Sequence, residues 1–127
     1  MMDVLSVERR MTTAIAAITV LTGAAQVLVP GGLAALISAA PPDGLGAQLF
    51  ATVGMFMVLF GGSLLHAQRA TGALSVVLLW GACQKLLAAA FVAWGVMHGV
   101  FVYAALLVAA FDGASGLLYL DLRRRGG

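Results

Sequence analysis

The sequence predicts an all-α protein, a bundle of four antiparallel transmembrane helices in one membrane domain over residues 1–127. Three observations predict it. Hydrophobic residues make up 62% of the chain, charged residues 9%, and the mean hydropathy is +1.05. Soluble domains run at about 45–50% apolar and about 25% charged, so a soluble fold of this size would expose much of the excess. Four apolar segments, at 11–29, 47–66, 72–97 and 100–120, each approach the roughly 20 residues a helix needs to cross the hydrocarbon core. The basic residues, finally, fall almost entirely at one end of those segments.

The elements follow in chain order. Residues 1–10, "MMDVLSVERR", can form an amphipathic interfacial stretch, with Val4, Leu5 and Met11 on one side. The first span begins at Met11. Arg9 and Arg10 before it, and "GAA" at 23–25, suggest a signal peptide, but the apolar run continues to Val29 and retention is expected. "PGG", 30–32, ends that helix, because proline lacks the donor and disfavours helical geometry just before it. "LAALISAA", 33–40, is apolar but too short to span, and is expected at the interface or as a re-entrant turn. "PPDG", 41–44, is a turn before the second span. "AQRATG", 67–72, leads into the third span, which is long enough to tilt. "HG", 98–99, reads as a tight hairpin into the fourth.

Charge sets the expected orientation. With four spans, the termini and the 67–72 loop share one side. Arg9, Arg10, Arg69, Arg123, Arg124 and Arg125 all lie there, while the other side carries Asp43 and His98. The positive-inside bias then places both termini in the cytoplasm of a bacterial cytoplasmic (inner) membrane. No basic stripe is interleaved with aromatics, so nucleic acid is not an expected partner.

One basic residue breaks the pattern. Lys85 is the only lysine and lies at the midpoint of the third span. The fourth span has its midpoint near Ala110, and Asp112 is about half a turn deeper. The two charges therefore share a depth on consecutive antiparallel helices, which pack side by side by default. Either charge alone at a helix centre costs about 2.5–3.5 kcal/mol on insertion scales. The ten Leu, Val and Phe residues of the third span, at about −0.3 to −0.6 kcal/mol each, let it insert, and pairing with Asp112 satisfies the ammonium. The flanking faces carry small residues that admit close helix approach. Gly81, Ala82, Ala88 and Ala89 surround Lys85, and Ala105, Ala109, Ser115 and Gly116 surround Asp112. The second span adds Ala47, Ala51, Gly54, Val58 and Gly61 at helical spacing.

The pair has three readings. It fixes helix register, it anchors a ligand or proton in a cavity, or Lys85 forms a Schiff base with Asp112 as counter-ion. Four short helices leave little room for a bound polyene, which disfavours the third. Gln84, about 100° around the helix, is a candidate interhelical hydrogen bonder, and Trp80 a candidate stacking residue with lipid or core packing as its plainer role. Trp94 and Tyr103 fit the outer aromatic belt and Tyr119 the inner one. Gln26 and Gln48 fit solvated outer helix ends.

Enzymatic signals are lacking. Cys83 is the only cysteine, which excludes an intrachain disulfide and a Cys-x-x-Cys centre. His66 and His98 lie at opposite ends of the bundle and cannot share a metal. There is no G-x-S-x-G elbow and no phosphate-binding glycine loop. No cofactor is expected.

Three features, "LVPGGLAALI" closing the first helix, "FATVGMFMVLFGG" in the second and "YLDLRRR" ending the fourth, resemble the small bacterial four-helix membrane proteins of the DoxX-like group. The resemblance implies the same four-span fold and, for some members, accessory subunits of membrane oxidoreductase systems. It assigns no residue role. The expected function is a non-enzymatic accessory or interaction subunit, or a binder of a lipid, quinone or other hydrophobic ligand, organised around Lys85 and Asp112. The alternative is a small proton-coupled carrier using the same pair. Expected partners are the bilayer, such a ligand, and a second copy or a membrane complex.

Overall fold

The computed structural model describes residues 3–70 and 72–126, and it is helical almost throughout. Five helices follow one another: α1 (Val4–Leu28), α2 (Pro30–Ile37), α3 (Gly44–Ala67), α4 (Leu74–Met97) and α5 (Ala105–Gly126). All but α2 are long and apolar enough to cross a membrane. The residues expected in the interfacial stretch include Met1 and Met2, which lie outside the described residues, as do Thr71 and Gly127.

Local chemistry sets the boundaries. Asp3 caps α1 by accepting from the Ser6 amide at 2.7 Å, so the N-terminal stretch is the first turn of α1 and not a separate element. Pro30 ends α1 and opens α2 at its first position, where its missing N–H is harmless. Asp43 caps α3 through the Gly46 amide at 2.6 Å.

The outer turn departs from the expected two-residue hairpin. α4 and α5 are separated by residues 98–104, and α5 begins at Ala105 instead of near 100. Gly99 turns the chain at φ +72°, and the short segment around Phe101 then pairs with the exit of α2. The Ala39 amide donates to the Val100 carbonyl at 3.0 Å and the Val102 amide to the Ile37 carbonyl at 2.9 Å. β-branched and aromatic residues favour such pairing. α5 makes up the length at its other end, running through the arginines to Gly126.

The helices assemble as two tight antiparallel pairs, α1 with α3 and α4 with α5, which meet more loosely along α1–α5 and α3–α4. Glycines explain the first pair. A Cβ on Gly54 would lie 2.6 Å from both Gln26 Cβ and the Gly23 carbonyl oxygen, and one on Gly61 would lie 2.8 Å from the Ala16 oxygen. The backbones touch there, as small residues permit in membranes. In the second pair, Gly116 takes Leu86 and Gly81 takes the Tyr119 ring.

The fully buried cluster of Ala16, Leu64, Leu78, Ala82, Tyr119 and Leu122 fills the half of the bundle next to the arginines. Tyr119 is 2% exposed, so it is a core residue and not part of an inner aromatic belt. Gln26 is likewise buried against Gly54 rather than solvated at the outer end. Trp94 and Tyr103 are exposed at the outer end, with Trp94 stacked on His98.

Candidate functional site

The polar centre sits where the two helix pairs meet. Lys85 projects from α4 into the bundle and is 2% exposed. Its Nζ donates to Asp112 Oδ1 on α5 at 2.9 Å and to Thr19 Oγ1 on α1 at 2.8 Å. Thr19 in turn donates to the Ile15 carbonyl at 2.9 Å, so its oxygen lone pairs face the ammonium. The Phe111 ring lies 5.4 Å from Nζ and adds a cation–π contact. The expected Lys85–Asp112 pair is thus present and buried. Thr19 is the partner that depth counting over the charged residues missed. A signal for it existed: Glu8, Thr12, Thr19 and Gln26 repeat at helical spacing on the buried face of α1.

A crevice of about 270 Å³ opens beside this centre. Ile18, Thr22, Met57, Leu107, Val108 and Phe111 line it, with Thr19, Lys85 and Asp112 at its floor. It lies between α1 and α5, one of the looser contacts, and its rim residues Ile18 and Leu107 are exposed on the side of the bundle. It therefore faces lipid and not either aqueous end. A second cavity, of about 10 Å³, also touches Lys85 and is bordered by Thr19, Gln84 and Tyr119, among others. That is the scale of one water molecule. Gln84 is thus adjacent to the polar centre, bordering the small cavity and not the crevice. Trp80 is 63% exposed and lines neither space.

A second polar cluster closes the arginine end, beyond the apolar stretches of α1 and α5. Arg125 Nε donates to Asp121 Oδ2 at 2.7 Å and stands 3.7 Å from Glu8 Oε1. The Arg125 hydrogen bond holds the Asp121 carboxyl below its ordinary range. The neighbouring Asp121 carboxylate, then burial, raises the Glu8 carboxyl above its ordinary value. Arg9 Nη2 reaches the Gly126 carbonyl at 3.5 Å, Arg123 Nε the Ser75 carbonyl at 3.1 Å, and Thr13 donates to Gln68 at 2.9 Å. These contacts tie four helix ends together.

Among the described residues, no group of three or more His, Cys, Asp or Glu side chains is placed to hold a metal. What the fold defines is a four-helix membrane bundle with a buried ion pair at the floor of a lipid-facing crevice. No family model, curated protein or solved structure matches the chain.

Proposed function

We propose that this chain is a non-enzymatic, multi-pass protein of a bacterial-type cytoplasmic membrane that binds a lipid-like small molecule, acting as an accessory or interaction subunit. One observation carries the reading: the crevice has apolar walls, a polar floor and an opening toward lipid near the middle of the bundle. Ligand sites take that form, apolar walls with few convergent polar groups. The gathering of six arginines at one end supports cytoplasmic termini. The resemblance to the DoxX-like group, with its accessory subunits, fits the same reading.

Gentle purification followed by mass spectrometry of co-purified molecules tests it. The native protein should carry a hydrophobic small molecule that Val108→Trp, which fills the crevice, loses while helical content is unchanged. An identical complement in both proteins would exclude the crevice as a ligand site.

One further observation favours the carrier reading. Lys85 lines both the open crevice and a one-water cavity, an arrangement that could pass a proton. A pH-dependent flux in proteoliposomes that survives both Lys85→Met and Asp112→Asn would remove that reading.

A further inference from the structure

We infer that the crevice selects a neutral hydrophobe bearing a single hydroxyl, a long-chain or isoprenoid-type alcohol, over alkanes and over charged lipids. The inference rests on the crevice being a ligand site and adds the chemical class of the ligand.

Two hydrogen-bonding groups facing the crevice are unused. Thr19, Thr52, Ser63 and Ser115 all return their hydroxyl to a carbonyl of their own helix. Thr22, which lines the crevice, makes no hydrogen bond among the described residues. Asp112 uses Oδ1 for Lys85, and its Oδ2 has no partner among the described residues. The Asp112 side chain keeps 13% of its surface exposed and lines the crevice. In hydrocarbon, where no water is at hand, unpaired polar groups are costly. An alkane in the crevice would leave both unpaired. A hydroxyl carries one donor and two acceptor lone pairs. It can donate to Asp112 Oδ2 and accept from Thr22 at once.

Charge argues the same way. Lys85 and Asp112 neutralise each other at 2.9 Å, so the floor offers no net charge to a headgroup. An anionic head would face the free oxygen of Asp112, and any charged head would have to be brought to mid-membrane. Size agrees as well. At about 270 Å³ the space is just below the roughly 300–1,000 Å³ of drug-sized sites, so it holds the hydroxyl end while the chain leaves between α1 and α5.

Lys85 is the only lysine, so protein grown on Nζ-¹⁵N lysine gives a single side-chain ammonium signal at the site. The experiment titrates 1-dodecanol, dodecane and dodecanoate into this protein in lipid nanodiscs and follows that signal. Dodecanol should shift it with an affinity about three- to tenfold above dodecane, the effect of one hydrogen bond of about 1 kcal/mol. Thr22→Val should reduce that advantage without removing it, since the hydroxyl still donates to Asp112 Oδ2, and Val108→Trp should abolish the dodecanol response altogether. Equal affinities for dodecanol and dodecane, or tighter binding of dodecanoate, would overturn the hydroxyl preference and leave the ligand site standing. A dodecanol response that persists in Val108→Trp overturns the inference by placing the effect elsewhere. No response to any probe removes both the inference and the ligand reading beneath it.

Discussion

Lys85 and Thr19 meet at 2.8 Å across the middle of the bundle, joining α4 to α1, helices that belong to different pairs. The ion pair to Asp112 lies within one helix pair. The threonine bond is what connects the two pairs at depth. Lys85 therefore has two structural roles, neutralisation along α5 and alignment against α1.

The first role predicts a thermodynamic cycle. Lys85→Met leaves Asp112 unpaired in a mostly buried position and should destabilise the fold by about 3–5 kcal/mol, the usual effect of breaking a buried pair. Asp112→Leu should do the same from the other side. The double variant should recover most of the loss, since an apolar pair of similar volume needs no partner. Reversible unfolding in mixed micelles measures all three.

The second role is smaller. Thr19→Val keeps the shape and removes the acceptor. Hydrogen bonds between membrane helices average about 0.6 kcal/mol and reach about 1.7. This one is charge-assisted, so the loss belongs at the upper end. Thr19→Ser should retain it. If the α1–α3 and α4–α5 halves are expressed as separate chains, their energy transfer in membranes should fall with Val and not with Ser.

The glycine contacts predict different outcomes for one substitution at two sites on α3. Gly54→Ala places a methyl 2.6 Å from the Gly23 carbonyl oxygen, and α1 and α3 must separate. Overpacking of that kind costs about 1–3 kcal/mol. Gly62→Ala meets nothing within 4 Å and should leave stability unchanged or slightly raised. Thermal unfolding of the two variants, side by side, decides it.

The Glu8–Asp121–Arg125 cluster predicts a pH dependence. Asp121, lowered by Arg125 from its ordinary 3.8, contributes stability above that value and loses it as pH falls through its folded titration. Glu8, raised from its ordinary 4.5 by the neighbouring Asp121 carboxylate and by burial, has the opposite sign. Its contribution is full below 4.5 and is lost as pH rises through its folded titration. Glu8→Gln, a fixed neutral analogue, should abolish the loss on the rising side and leave the acid side intact. A thermal midpoint followed from about pH 4 to about pH 8 should decline for the native chain and stay flatter for the variant.

The spans and the central pair were legible because their signals are strong. Twenty-odd apolar residues have few alternatives to a membrane helix, and two charges at one depth on neighbouring helices have few alternatives to each other. Three things were not. Residues 98–99 read as a tight hairpin and 100–104 as the start of the fourth span, but the pairing of residues 100–102 with 37–39 is a contact made across some sixty positions, which composition does not carry. Tyr119 looked like a belt residue because tyrosine favours interfaces, and it is buried because Gly81 opposite leaves space for its ring. Thr19 was passed over because a threonine in a membrane helix usually satisfies itself, as this one also does through Ile15. The crevice depends on how far α1 and α5 stand apart, a quantity that no single segment encodes.

The division of the bundle into two pairs also bears on how the protein is made. α1 and α3 carry no charged side chain between Arg10 and Arg69 other than Asp43, which lies outside both helices at the cap of α3. They can enter the bilayer and close on their glycines unaided. α4 and α5 bring a lysine and an aspartate that cancel each other, so the second pair is electrically complete when it leaves the translocation machinery. Neither half has to wait for the other before it can reside in lipid. The bond from Lys85 to Thr19 is then a contact between two halves, not one that either half needs in order to reside in lipid.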